Sequence, residues 1–96
     1  MDEPLVRKPS ISTKILIGGV VKNGLGEELG QIDEVLLDQE GGFVSNLILS
    51  TGGFLGLKKR IAVPWDMLKL DQDTQALILD VDKDFLQRIP KYQGDR

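Results

Sequence analysis

The sequence predicts a small all-β domain, mainly of antiparallel strands, in which a strongly curved sheet closes into a barrel and a short helix follows at the C-terminal end. Three observations favour this fold class. Short apolar stretches recur between glycine-rich turns over most of the chain. One stretch near the C-terminus with helical spacing has a capping residue before it and a proline after it. The 96 residues are enough for one small core and leave no room for a second.

The first predicted strand spans residues 15–21 and contains Gly18 and Gly19. Glycine inside a strand is typical of a bulge or a tight bend of a barrel. Asn23 and Gly24 follow as a turn, because both residue types tolerate positive φ.

The second predicted strand spans residues 29–38. Its apolar residues do not alternate strictly and would also fit one or two helical turns, but glycines on both sides favour a bulged strand. A hairpin turn at residues 39–42 leads to a third strand at 43–50. A short fourth strand at 61–63 ends at Pro64, because proline has no amide hydrogen to donate.

The C-terminal part of the sequence predicts a further strand and the helix. A polar turn at residues 71–74 precedes the strand at 76–81. Asp82 is a suitable N-cap for a helix over residues 83–89, which Pro90 ends by disfavouring α conformation at the residue before it. One apolar face of this helix is expected to cover the end of the barrel, and it consists of Phe85, Leu86 and Ile89.

We expect a flexible N-terminal arm at residues 1–13, one domain at 14–92 and a C-terminal tail at 93–96. The arm mixes charged, proline and hydroxyl residues without periodicity. No stretch approaches the roughly 18 apolar residues of a membrane span, and the acidic N-terminus differs from a signal peptide. With no cysteine in the chain, these features predict a soluble, cytoplasmic protein.

Composition argues against several function classes. A net charge of −3 with a pI near 4.8 disfavours nucleic acid or an anionic membrane as the main partner. The chain has neither His nor Cys, so the usual general base, the commonest metal ligand and the best nucleophile are missing. We therefore expect no enzymatic activity, no cofactor and no metal.

Two motifs that superficially indicate ligand sites do not complete their patterns. The carboxylates of residues 80–84 alternate as at the start of an EF-hand loop, but its sixth and twelfth positions hold Phe85 and Lys91 instead of glycine and glutamate. Glycines between residues 24 and 30 resemble a dinucleotide loop, but the third is one position late and no long amphipathic helix follows. The simpler interpretations are a strand end with a helix cap, and a turn with a bulge.

The most distinctive segment lies between two apolar stretches, at the expected tip of a loop. Phe54 and Leu55 are large apolar residues placed between glycines. If the loop folds inward they cap the barrel, and if it folds outward they form a docking surface. Glycines that cost conformational entropy favour the docking surface. The predicted protein interface comprises Gly52, Gly53, Phe54, Leu55, Gly56 and Leu57.

Three consecutive bases follow this segment: Lys58, Lys59 and Arg60. Such a run is most often a solvated surface, and the alternative is a contact to an anion or to RNA phosphate. No aromatic residues alternate with these bases, so a platform for base stacking is not indicated. Trp65 is expected in the core or at the barrel rim, since a lone tryptophan generally anchors packing.

Several segments, taken in order, resemble the PRC-barrel domain family over roughly residues 14–92. They are residues 19–21, residues 26–38, Gly52-Gly53-Phe54-Leu55-Gly56, Ala62-Val63-Pro64-Trp65-Asp66, and Leu86 with Pro90. The resemblance implies a PRC-type barrel and adaptor-like contact with proteins, without a common catalytic centre. Members occur in the H subunit of the photosynthetic reaction centre, in a ribosome-maturation factor, and as small stand-alone bacterial or archaeal proteins.

This chain resembles a stand-alone member, for which the resemblance implies self-association. Our leading hypothesis is a non-catalytic adaptor module that forms a homodimer and docks a protein client through the glycine-rich loop. One alternative is a ribosome- or RNA-associated maturation factor that uses Lys58, Lys59 and Arg60. The other is an accessory subunit of a membrane electron-transfer complex, which rests on family analogy alone and requires a membrane-bound partner, since no direct membrane insertion is expected.

Overall fold

The computed structural model describes residues 5, 10–52, 58–71 and 73–94. These residues form two short helices, six strands and one 3-10 turn at Trp65–Met67. The helices are α1 (Thr13–Leu16) and α2 (Lys83–Arg88). The strands are β1 (Val20–Lys22), β2 (Glu28–Leu37), β3 (Val44–Thr51), β4 (Lys59–Pro64), β5 (Leu68–Asp71) and β6 (Ala76–Leu79). The predicted mainly-β fold with a short C-terminal helix is confirmed.

The six strands of the described part form one curled sheet in the order β4-β3-β2-β1-β6-β5. Four of the neighbouring pairs are antiparallel, and β1 with β6 is parallel, with Val21 opposite Leu77. The parallel pair was not predicted from the sequence. It arises because the chain completes β2 to β5 before it returns beside β1, which local turn signals cannot reveal.

The first predicted strand is wrong in its first half, because residues 15–17 complete a helical turn instead. The side chain of Ser12 caps this turn by accepting a hydrogen bond from the amide of the second helical residue, at 3.1 Å. Gly18, with φ of +86°, then reverses the chain, and its amide donates to the carbonyl of Ile32 at 2.7 Å. The strand itself begins only at Val20.

The predicted turn at Asn23 and Gly24 forms, but through a side chain rather than through positive φ at these residues. Asn23 is only 3% exposed, and its Oδ1 accepts from the amides of Leu25 at 3.0 Å and Glu27 at 2.9 Å. Its Nδ2 donates to the Glu27 carboxylate at 2.8 Å. The positive φ of +85° belongs to Gly26. Asn23 therefore satisfies the turn's amides while it is itself buried.

The irregular second strand is confirmed as a bulged strand. Ile32 lies opposite Leu49 and Glu34 lies opposite Ile48, so Asp33 is an extra residue in β2. Ile32 packs in the core. Because of the bulge, Asp33 and Glu34 both project from the face of the sheet that points away from the core.

The hydrophobic core lies on one face of the sheet and is closed by α2. Asp82 caps this helix as predicted, accepting from the amide of Phe85 at 2.8 Å. Leu86 is buried and Ile89 packs against the core, but Phe85 is exposed, so the predicted apolar helix face is narrower than its spacing indicated. The core consists of Leu16, Val21, Leu29, Ile32, Leu47, Leu49, Ile61, Val63, Leu77, Leu79 and Leu86.

Two residues outside the α-helices and strands, Ile11 and Trp65, also contact the core. Ile11, within the predicted arm, packs against the core cluster, as does Trp65 after the end of β4. Trp65 is half-buried there, in agreement with its predicted place in the core or at the rim. Ile11 thus contacts the core from within the segment that was predicted as the arm.

Gly30 in β2 has no room for a side chain against β3, and this generates a stability prediction. A Cβ added at Gly30 would lie 2.5 Å from the carbonyl oxygen of Ser50, whereas one added at Gly52 would meet nothing within 4 Å. We expect Gly30→Ala to lower the free energy of unfolding by about 1–3 kcal/mol, because backbone must shift to accept the methyl group. Urea denaturation measures the change.

Gly52→Ala is the matched control, and it should change the stability by less than about 0.5 kcal/mol. Equal unfolding midpoints for the two variants would show that β2 and β3 are not packed as closely at Gly30 as the structure has them.

Candidate functional site

The predicted interface lies almost entirely outside the described residues: Gly53, Phe54, Leu55, Gly56 and Leu57 belong to the segment that is not described. Gly52 is exposed. The segment connects β3 to β4, which pair up to Thr51 and Lys59. The Thr51 hydroxyl donates to the Lys59 carbonyl at 3.0 Å, so the base of the connection is closed. The docking loop stays a prediction.

The three bases after this segment have different environments. Lys58 is exposed. Lys59 reaches the C-terminal end of α2, where its Nζ donates to the carbonyl of Gln87 at 2.9 Å and lies 3.5 Å from that of Leu86. A lysine at this position satisfies a carbonyl at the end of the helix and interacts favourably with the helix dipole. Lys59 therefore joins β4 to the C-terminal helix.

Arg60 makes ion pairs with both carboxylates of the β2 bulge. Its Nε lies 2.9 Å from Oδ2 of Asp33, in a contact without hydrogen-bond alignment, and a terminal nitrogen donates a hydrogen bond to Glu34. Because β3 separates β4 from β2, the strands that carry these residues are about 10 Å apart. The Arg60 side chain consequently crosses β3 on the outward face of the sheet.

Ile48 is buried on the outward face of β3, the strand that the Arg60 side chain crosses. Leu47 and Leu49 point into the core, so Ile48 between them points to the outward face, yet it is 0% exposed. It lies directly opposite Glu34 in the sheet, and Arg60 lies opposite the residue two positions along β3. The aliphatic part of Arg60 is thereby positioned to cover Ile48 while its guanidinium reaches the carboxylates.

The hydrogen bond to Glu34 is the main cause that raises the pKa of Arg60 above its ordinary value. The negative charges of Glu34 and Asp33 act in the same direction, and partial desolvation opposes them. A raised pKa means that the pairing stabilises the fold below the pKa of the unfolded chain. This stabilisation is lost only as the pH rises through the folded pKa, so Arg60 stays charged at every physiological pH.

The backbone of Arg60 also holds the residues that follow α2. The Tyr92 amide donates to the Arg60 carbonyl at 2.7 Å, and the Arg60 guanidinium lies 5.9 Å from the centroid of the Tyr92 ring. That distance is within the range of a cation–π interaction. Residues 91–94, which we name the C-terminal strap, thereby contact the outer edge of β4.

A pair of exposed apolar residues at the β2–β3 hairpin was not predicted as a site. Leu37 is 64% exposed and Phe43 is 58% exposed, and we name this pair the hairpin patch. Its position is held by Asp38, whose amide donates to the Phe43 carbonyl at 2.8 Å. In the sequence, Phe43 is an aromatic residue directly after the turn glycines. Its assignment to a strand does not determine on which face of the sheet its side chain lies.

The described residues contain little that would bind a small ligand. They include no group of three or more acidic, His or Cys side chains that would hold a metal ion. A gap of about 10 Å³ in the core is lined by apolar residues and is at the lower limit for one water molecule. None of the helices in this part of the chain is long and apolar enough to span a membrane.

Comparison with known proteins identifies a family and solved structures of similar fold. The sequence model of the PRC-barrel domain matches residues 16–86. Among solved structures, RimM of Pseudomonas aeruginosa, a 16S ribosomal RNA processing protein by name, is similar at 20% sequence identity with a TM-score of 0.48. The likeness covers 86% of this chain and 51% of that one, so this chain spans about half the length of the RimM structure. No curated protein matches the chain.

Substitutions at Arg60 separate its two structural roles. Arg60→Met keeps an apolar stem over Ile48 and removes the ion pairs, whereas Arg60→Ala removes both. We expect the urea midpoint to fall from wild type to Arg60→Met, and to fall further in Arg60→Ala, because only the second change exposes a buried isoleucine. Urea unfolding followed by circular dichroism measures the order.

Added salt should reduce the difference in urea midpoint between wild type and Arg60→Met, because salt screens exposed charges. It should leave the difference between the two variants unchanged. The exposed Arg88→Ala serves as the control for losing a basic side chain. Identical midpoints for Arg60→Met and Arg60→Ala would show that Arg60 does not cover Ile48.

Proposed function

This chain belongs to the PRC-barrel domain family, and we propose that it is a non-catalytic protein-interaction module that forms a homodimer and docks another protein. The observation that carries this proposal is the hairpin patch. Two large apolar side chains are exposed at the β2–β3 hairpin, while the core residues on the same strands are buried. Exposed apolar pairs of this kind are typical of contact surfaces between proteins.

The predicted loop and the hairpin patch lie at opposite ends of the same strand. β3 has eight residues and therefore separates the two regions by about 26 Å. A surface at each end suits a module that contacts two proteins at once. We assign self-association to the loop at residues 52–57 and client docking to the hairpin patch.

An RNA-binding role through the three bases has less support in the geometry. Lys59 caps α2, and Arg60 is paired with two carboxylates, so both are engaged within the chain. Lys58 alone of the three has no such contact among the described residues. One phosphate contact gives weak binding with little dependence on salt. A protein partner is therefore our proposal rather than RNA.

Self-association through the loop is tested by Phe54→Asp combined with Leu55→Asp. Placing two carboxylates in an apolar contact should weaken the homodimer strongly, because each charge must lose its hydration there. Far-UV circular dichroism should be unchanged. Sedimentation equilibrium over a range of concentrations measures the dissociation constant.

Leu25→Asp is the control, since Leu25 is 83% exposed in a different turn and its replacement should not affect the dimer. A double variant that associates as strongly as wild type would place the homodimer contact elsewhere.

Client docking is tested by Leu37→Asp combined with Phe43→Asp. Both side chains are exposed, so the fold should tolerate the change while an apolar contact with a client is lost. A crosslinked pull-down from the native cell, compared by mass spectrometry with wild type and with Leu25→Asp, should show a partner missing only from the double variant. The same partners in all three samples would exclude the hairpin patch as the docking surface.

A further inference from the structure

We propose that a second copy of this chain pairs with the outer edge of β4, in an antiparallel register centred on Ala62. This inference rests on the proposed homodimer and specifies its geometry. β4 is the terminal strand of the sheet. Its outer edge already accepts a backbone hydrogen bond, because the Tyr92 amide donates to the Arg60 carbonyl there at 2.7 Å. The backbone groups on this edge of β4 can thus form hydrogen bonds with another backbone.

Two hydrogen bonds establish which backbone groups of β4 point outward. The Arg60 carbonyl accepts from Tyr92, so it points away from β3. The preceding carbonyl, that of Lys59, accepts from the Thr51 side chain on β3, so it points toward β3. In an antiparallel pair this direction alternates with each residue. Every second residue from Arg60 onward therefore presents its backbone groups to the outer edge.

The outward residues are Arg60, Ala62 and Pro64, and together they favour one self-pairing register. When Ala62 lies opposite Ala62 of the second copy, the two residues exchange both of their backbone hydrogen bonds. Arg60 then lies opposite Pro64 of the second copy, and its amide donates to that proline's carbonyl. The same bond forms on the other side of the twofold axis.

In this register one outward backbone group of β4, the carbonyl of Arg60, has no donor in the second copy. Pro64 has no amide hydrogen, so in this register the second copy donates nothing to the Arg60 carbonyl. Every outward amide of β4 then has an acceptor. Beyond the pair, the start of β4 lies next to Trp65 of the second copy. The anchored end of the predicted loop is thereby brought to the dimer contact.

The opposite edge of the sheet is less suited to this role. β5 has four residues, and two of them are the exposed and charged Lys69 and Asp71. Short edge strands with charged side chains resist the addition of another strand. β4 offers a longer edge whose central outward residue is the small Ala62. Among the described strands, β4 is therefore the better surface for a second copy.

The C-terminal strap competes with this pairing. The Tyr92 amide lies where the backbone of the second copy would pass beside Arg60, so the strap must move as the strands pair. Its hold on β4 consists of that hydrogen bond and the contact between the Tyr92 ring and the Arg60 guanidinium. The strap consequently weakens the dimer, and its release strengthens it.

A single introduced cysteine tests the register directly, because the chain contains no other. In an antiparallel hydrogen-bonded pair the opposed Cα atoms are about 5.5 Å apart, which a disulfide can span. Ala62→Cys should therefore form a disulfide-linked dimer under mild oxidation. In Pro64→Cys the two Cα atoms would be offset by four residues, about 13 Å, and no bond should form.

Substitutions at Tyr92 and Ala62 test the competition. Tyr92→Pro removes the amide hydrogen and the ring from the strap, and it should lower the dimer dissociation constant about tenfold, as expected for one lost competing hydrogen bond and ring contact. Tyr92→Phe keeps both and should match wild type. Ala62→Pro should abolish the dimer in either background. Sedimentation equilibrium measures the dissociation constant of wild type and of each variant.

The outcomes separate this inference from the proposed function. A wild-type dimer that survives Ala62→Pro, or equal crosslinking of the two cysteine variants, would overturn the edge pairing and leave the homodimer standing. Monomers at every concentration in all variants would overturn both. If circular dichroism shows that Ala62→Pro is unfolded, the edge pairing is tested by comparing the disulfide crosslinking of Ala62→Cys with that of Pro64→Cys.

Discussion

The outward face of the sheet depends on one side chain, that of Arg60, which crosses β3 to reach the β2 bulge. It joins the first and third strands of the sheet order through Asp33 and Glu34, and it passes the strand between them, on which Ile48 is buried. Its backbone and guanidinium also hold Tyr92 after α2. A guanidinium suits this position because it is planar, offers several donors and has a long apolar stem.

The bulge in β2 places both carboxylate partners of Arg60 on the same face of the sheet. Without the extra residue Asp33, alternation would place neighbouring carboxylates on opposite faces of the sheet, and one of them would point into the core. A basic run that would suit an anion is consequently used within the chain. Lys59 and Arg60 attach the C-terminal helix and the strap to β4, so both bases are engaged within the chain.

Local chemistry was enough to predict the turns, the helix cap and the breaks between strands. Asp82 and Pro90 delimit α2 as expected, and the glycines around β2 correctly indicated a bulged strand rather than a helix. The failures have specific causes. Residues 15–17 are apolar enough for a strand, but a Ser12 cap and the left-handed Gly18 make them helical. The exposure of Phe43 depends on which side of the hairpin its ring occupies, and composition does not encode that.

By itself, the sequence determined the fold class, the boundaries of β2, β3, β4 and β6 to within two residues and the lack of histidine and cysteine side chains, because these follow from residue types and short-range spacing. Only the tertiary structure decided that β6 returns parallel to β1, that Ile48 is buried on the outward face and that two of three adjacent bases are engaged. Each of these depends on residues far apart in the chain, such as Arg60 with Glu34 and Tyr92, which come together only when the sheet has formed.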